Sequence, residues 1–205
     1  MEDSALTEAR PARADEAPAL AALLARAFAE DAVLNWFLCA RRRRPAAELF
    51  FRQVLADALP LGGVRVGGNM AACAIWLPPD AARPKETFWS GIKNTLWILR
   101  VASPWRFSRL EAIIRMSEEI HPEAPCHYLY LIGTIPEARG RGLAAGLIEH
   151  TLKQADDEGV GAFLETGDAA KVAYYNRFGF ELIGQAQLPF GGPTLNLMWR
   201  EPRSR

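Results

Sequence analysis

The chain has 205 residues, enough for one well-buried domain and short of two comfortable ones. Half of them are apolar and 23% are charged, an ordinary globular profile, and 24 basic side chains cancel 24 acidic ones. That balance argues against nucleic-acid binding and against a general attraction to acidic membranes.

Three cysteines, Cys39, Cys73 and Cys126, are few, odd in number and without metal-like spacing, so they read as reduced thiols of a cytoplasmic protein. The opening MEDSALTEARPARADEAP is polar and acidic, unlike a secretory signal. The most membrane-like stretch, FWSGIKNTLWILRV at 88–101, is broken by Lys93 and Arg100 well short of the roughly 20 apolar residues a spanning helix needs. No membrane span is expected.

Leu6 to Arg10 is predicted as a short first strand stopped by Pro11. Asp15 stands where an N-cap belongs, ahead of a helix to about Phe28 with Leu20, Leu23, Leu24 and Ala27 on one face. Glu30-Asp31 breaks it, and a second helix from Val33 to about Arg42 carries Trp36 and Phe37. The run Arg41 to Arg44 reads as a solvated helix end favoured by the C-terminal dipole, with anion holding as the alternative. Ala46 to Leu59 is a third helix, ended by Pro60 and Gly62-Gly63. Val64 to Val66 and Met70 to Leu77 look like strands joined through Gly67-Gly68-Asn69, a hairpin turn by composition.

From Pro84 to about His121 the pattern is helical again, in two segments broken at Ser103-Pro104. Phe88, Trp89, Ile92, Leu96 and Leu99 share one face, which is either core packing or the border of an acceptor pocket. Cys126 to Ile135 is an apolar strand, and Leu143 to Glu158 a helix with Leu143, Leu147 and Ala155 facing inward. Gly159 suits the position just past its end. Ala162 to Glu165 is a short buried strand, Asp168 caps a helix to about Phe178, and strands at Phe180 to Ala186 and Leu195 to Trp199 finish the chain.

The chemistry concentrates in YLYLIGTIPEARGRGLAAG, residues 128–146, where a strand runs into an Arg/Gly loop and then a helix. Backbone N–H groups at a helix N-terminus, reinforced by its dipole, attract anions, so phosphate binding is the first hypothesis. Gly140-Arg141-Gly142-Leu143-Ala144-Ala145 fits the dinucleotide pattern G-x-G-x-x-A, with Glu165 ending a strand some twenty residues on. Against that, Pro136-Glu137-Ala138 separates strand from glycines, whereas a dinucleotide fold turns at once.

A second pattern joins four pieces. Arg139, Gly142 and Ala144 satisfy [QR]-x-x-G-x-[GA], the preceding strand ends Ile132-Gly133-Thr134, and Phe163-Leu164-Glu165-Thr166 and Tyr175-Asn176-Arg177-Phe178-Gly179-Phe180 follow in order. This arrangement resembles the GCN5-related N-acetyltransferase (GNAT) superfamily from His127 to about Ile183, with weaker echoes elsewhere. Among its branches it looks closest to puromycin N-acetyltransferase-like proteins.

The resemblance implies an α/β (α+β) fold: a mixed, mostly antiparallel, splayed sheet with helices on both faces. It implies one acetyltransferase domain over 1–205, with N-terminal helices and hairpin in 1–83, a helical insertion in 84–122 and a CoA-binding half in 126–200. Acetyl-CoA would be the co-substrate. Backbone amides of Arg139, Gly140, Arg141, Gly142, Leu143 and Ala144 would cradle its pyrophosphate, while Ile132, Gly133 and Thr134 would present main chain to its pantetheine arm. Tyr175 occupies the position of the acid that returns a proton to the CoA thiolate, and Glu165 would orient the amine or act through water as base. Each has a plain alternative: Tyr175 as core and Glu165 as a cap for the next helix. Glu30 and Asp31 sit between the first two helices, where the resemblance implies the acceptor site is often lined, with a solvated turn as the plainer reading. His121, His127 and His150 show no metal spacing, and no metal is expected.

A lysine-type amine has a reference pKa near 10.4, so its lone pair must be freed before it attacks a thioester, and a nearby carboxylate helps. Two departures from the family pattern stand out. Lys171 replaces the usual asparagine, which puts the amide contact to the CoA arm in doubt and suggests contact with a CoA phosphate. Ala144 replaces the commoner glycine. The expected reaction is direct attack by a small-molecule amine in a ternary complex. The rivals are a non-catalytic acyl-CoA-binding module on the same fold and a nucleotide-dependent oxidoreductase. No nucleic-acid or membrane partner is expected, and the sequence leaves room for a homodimer.

Overall fold

The run ACAIWL at 72–77 is apolar at every position, which requires a strand covered on both faces. In the computed structural model, which describes residues 9–38, 43–80 and 106–203, these residues form strand β3 (Ala72–Leu77), and all six are buried. Around it lie β1 (Arg10–Pro11), β2 (Val64–Gly67), β4 (Cys126–Thr134), β5 (Gly161–Thr166), β6 (Glu181–Gln187) and β7 (Thr194–Arg200). The sheet order is β1-β2-β3-β4-β5-β7-β6, and only β4 and β5 run parallel. The described helices are α1 (Ala17–Ala27), α2 (Ala32–Phe37), α3 (Arg43–Ala58), α4 (Phe107–Ile120), α5 (Leu143–Glu158) and α6 (Ala170–Asn176).

The alternation of strand side chains divides the core in two. Cys73, Ile75, Tyr128 and Phe163 face Leu20 and Leu24 of α1 and Phe51 and Val54 of α3. Ala74, Trp76 and Leu164 face the other way, against Leu147, Ile148 and Leu152 of α5 and Tyr175 of α6. Helices therefore cover both faces, and α5 is the crossover that a parallel pair requires. Each fully buried leucine contributes about 1.5–3 kcal/mol through lost apolar hydration.

Two departures from regular pairing shape the middle of the sheet. The register of β3 on β4 passes from Ile75↔Leu131 to Trp76↔Leu129, so Tyr130 is an extra residue bulged out of the ladder. As a result Tyr130 and Leu131 both pack on the α1/α3 side, while Leu129 and Ile132 pack on the other. Pairing between β4 and β5 ends at Leu129↔Leu164, although β4 continues to Thr134. Past that point the two strands part, giving the expected splay.

Most predicted elements appear within a residue or two. Helix α5 begins and ends where expected, with Gly142 (φ 77) and Gly159 (φ 67) at its two caps. Several boundaries differ. Asp15 is not the cap of α1: it sits in a short 3-10 turn, Ala14–Glu16, and pairs with Arg13 instead. Pro11 lies within β1 rather than after it, paired with Arg65 on the sheet edge where a missing N–H is tolerated. Arg43 and Arg44 open α3 rather than close the preceding helix, and Arg44 pairs with Glu48 one turn on. Strand β3 starts at Ala72 because Asn69 and Met70 hold positive φ in the turn.

The first half of the expected strand at Leu6, Cys39, Arg41-Arg42, and the aromatic-rich segment at 88–101 lie outside the described residues. No helix among the described residues is long and apolar enough to cross a membrane.

Candidate active site

The parting of β4 from β5 opens a cavity, and strands, helices and loops deliver side chains to it from several directions. Glu165, next to last in β5, and Tyr175, near the end of α6, both line it, as do Ile132 and Lys171. The sequence thus brings its two predicted catalytic side chains to one place. The predicted phosphate loop, Arg139 to Ala144, lies beyond the end of β4 and outside this cavity's lining.

Glu165 is held asymmetrically. Its Oε1 accepts a 2.6 Å hydrogen bond from the Tyr128 hydroxyl. Its Oε2 is buried without a hydrogen-bond partner. Burial disfavours the charged form and pushes its carboxyl up to about 7, partly opposed by the Tyr128 hydrogen bond. Tyr128 is itself buried among the rings of His121, Tyr130 and Phe163, which fix its direction. Glu165 does not serve as a helix cap; Asp168 does that, accepting from the Ala170 N–H at 3.0 Å.

Tyr175 is 7% exposed and packs edge-on against Tyr174 and Phe180. Burial raises its phenol above the ordinary value, and neighbouring Tyr174, Asp168 and Asp31 reinforce the shift, so it stays protonated at neutral pH. Asp31 lines the same cavity and caps α2, its carboxylate accepting from the Leu34 N–H at 2.9 Å. It is a structured cap, where the sequence suggested a solvated turn.

The loop after β4 is built differently. Pro136–Ala138 form a 3-10 turn that carries the chain away from the sheet before the glycines. Arg139 turns its side chain back, donating to the Ala27 carbonyl at 3.0 Å and the Thr134 carbonyl at 3.4 Å. Gly142 is the N-cap of α5 with a left-handed backbone, a conformation costly for other residues. The first N–H groups of this 16-residue helix have no intrahelical acceptor and face outward past exposed Arg141 and Gly142. Gly133 has a different reason to be glycine: a Cβ there would come within 2.8 Å of Ala27 and 2.9 Å of Phe28, so it lets α1 approach β4.

The residues fit an extended, phosphate-bearing ligand. From Tyr130 onward the β5-facing edge of β4 has no strand partner, and the Thr134 hydroxyl is buried and unsatisfied beside it. At the far end stands the N-terminus of α5. An arm paired on that edge and a phosphate at that terminus would satisfy both. A dinucleotide fold is ruled out by the sheet, which has one parallel pair where a doubly wound fold needs a parallel series.

Residues 27–180 match the family described as Acetyltransferase (GNAT) family. The chain belongs to this family. The acetyltransferase also superimposes on solved structures over nearly its whole length. A histone acetyltransferase HPA2 and related acetyltransferase from Corynebacterium glutamicum aligns with a TM-score of 0.69 at 23% identity, covering 96% of this chain and 97% of that one. The polyamine N-acetyltransferase of Drosophila melanogaster gives 0.65 at 17%, covering 95% and 99%. Arylalkylamine N-acetyltransferase 2 of Aedes aegypti gives 0.60 at 14%, covering 96% and 99%. At these identities the likeness establishes the fold.

Two features of the site escaped the sequence reading. The Tyr128–Glu165 bond joins residues on neighbouring strands, and nothing local announces it. Leu110, Ile113 and Ser117 of α4 line the cavity, a wall supplied by the half of the insertion nearer β4. Asp31, which the resemblance places near the acceptor site, lines the cavity, and its capping role has a local signal in an aspartate directly before a short apolar helix.

Proposed function

We propose that this acetyltransferase moves an acetyl group from acetyl-CoA to the amine of a small molecule, by direct attack in a ternary complex. One observation carries the reading: Glu165 and Tyr175 line one cavity that opens where β4 leaves β5. The relatives named for polyamines and arylalkylamines support a small amine as acceptor.

Acetyl-CoA, when bound, supplies a thioester carbonyl open to an amine nucleophile. The backbone N–H groups from Gly140 to Ala144 hold its pyrophosphate at the start of α5, the Arg139 N–H being donated to the Pro136 carbonyl instead, and the exposed Lys171 ammonium adds a cation at the cavity. The free edge of β4 at Ile132, Gly133 and Thr134 seats the pantetheine arm as an added strand. Glu165 receives the proton of the incoming ammonium. From an amine near 10.4 to a carboxyl at about 7 the transfer is uphill by roughly 4–5 kcal/mol, against roughly 8 for an ordinary carboxyl. Burial of Glu165 therefore makes the base competent. Tyr175, kept protonated by its surroundings, presents its hydroxyl as the donor at the leaving-group side.

The test is a melting comparison followed by thiol release. Acetyl-CoA raises the melting temperature, NADH does not, and free thiol appears with at least one amine of a broad panel. Binding of acetyl-CoA without thiol release from any amine would leave a sensing module in place of an enzyme.

A further inference from the structure

The cavity's chemistry is uneven. Phe28, Leu34, Phe37, Leu110, Ile113 and Leu195 give it apolar walls drawn from the α1–α2 segment, α4 and β7. Its charged lining residues, among those described, are Asp31, Glu165 and Lys171. The one cation offsets one of the two carboxylates, which leaves a single negative charge for a guest to meet. Asp31 already engages its Oδ1 with the Leu34 N–H, and Glu165 its Oε1 with Tyr128. Glu165 Oε2 is the buried carboxylate oxygen without a partner. Leaving such an atom unsatisfied costs about 1–3 kcal/mol or more, which a bound N–H donor recovers.

We infer that the acceptor is a monocationic amine with a compact apolar body, its ammonium on Oε2 of Glu165 and its body against the α2 and α4 walls. The inference rests on the acetyltransferase reading of this cavity and narrows it to a substrate class. A second ammonium on the guest would be stripped of water against Phe37, Leu110 or Ile113, or would meet Asp31, whose Oδ1 already caps α2 and whose charge Lys171 offsets among the described lining residues; either way it is poorly compensated for its lost hydration. A carboxylate beside the amine, as in a free amino acid, would stand against Glu165 and be repelled. The site therefore selects against polyamines and against amino acids by two separate penalties.

Calorimetric titrations on the intact chain, with and without saturating CoA, test this without turnover. The probes are 2-phenylethylamine, its uncharged analogue 2-phenylethanol, spermidine and phenylalanine. In at least one of the two conditions 2-phenylethylamine binds at least tenfold tighter than each of the other three. Glu165→Gln, checked for an intact melting transition, loses at least tenfold in affinity for 2-phenylethylamine alone. Spermidine binding as tightly as 2-phenylethylamine, or no binding of 2-phenylethylamine in either condition, overturns the inference. The wild-type comparison of amine with alcohol decides it even if the variant does not fold. Heat from CoA itself and thiol release across the wider amine panel are read separately. Failure there counts against the acetyltransferase reading, whereas the ranking of guests bears on the substrate class.

Discussion

The proposed donor and acceptor sides of this acetyltransferase are built on opposite principles. The donor side is a continuous stretch, from Ile132 to Ala144, and works through main chain: an unpaired strand edge and the N-terminus of α5. The acceptor side is gathered from the α1–α2 turn, α2, α3, α4, β4, β5, α6 and β7 and works through side chains. A backbone site tolerates side-chain change wherever backbone geometry survives. A side-chain site depends on each group and on whatever aims it.

Substitutions on the two sides should therefore fail in different ways. The largest effect is expected at Tyr175. Tyr175→Phe removes a hydroxyl but keeps the ring against Tyr174 and Phe180, so turnover should fall roughly 100-fold, the scale of a lost proton donor. Acetyl-CoA affinity should change less than about twofold by the same reasoning. Steady-state kinetics with a binding titration separates the two, and equal kcat in both proteins would remove the acid role. Next comes Gly142→Val. Gly142 meets nothing within 4 Å where a Cβ would stand, so its φ of 77 is the sole obstacle, costing a valine about 1–2 kcal/mol. If the backbone of this turn binds the donor, acetyl-CoA affinity falls about tenfold. Amine KM measured at saturating donor stays unchanged. A shift in amine KM alone would mean that the two sides are not separate.

The same division explains what could be read from the sequence. Helix α5 was legible to its ends because Gly142 and Gly159 punctuate it and its apolar residues recur at helical spacing. The bulge at Tyr130 has no local marker, yet it turns Leu131 to the same face as Tyr130 and helps open the cavity. Asp15 has the residue type of a cap but not its contacts: Glu16, not Asp15, bonds both Arg10 and the Arg13 backbone N–H. The arginine run reads as a helix end by composition alone, whereas Arg44 pairs with Glu48 four residues ahead, so its helix runs forward from it. On the acceptor side the decisive contact, Tyr128 to Glu165, spans 37 positions and exists because β4 and β5 run side by side. Sequence spacing resolves periodicity within an element. It does not resolve which side chains meet between two.

The smallest predicted effect probes that contact directly. Tyr128 donates to Glu165 and so favours the ionised carboxylate, opposing the burial that holds it up at about 7. With Glu165 as base or amine anchor, activity requires it ionised, so kcat/KM rises with pH through about 7 on its acid limb. Tyr128→Phe removes the donor and keeps the ring among His121, Tyr130 and Phe163. The Glu165 pKa then moves further up, and the acid limb shifts toward higher pH by roughly half a unit to one unit. At pH 7 this is a loss of only a few-fold, and it disappears about two units above the shifted pKa, where both carboxylates are ionised. A merely structural role for Tyr128 would lower kcat/KM by the same factor at every pH, with the limb where it was. Full pH profiles of the two proteins distinguish these outcomes: an unmoved limb would show that Glu165 is not titrating in the reaction, and the acceptor side would then have to be organised around Asp31.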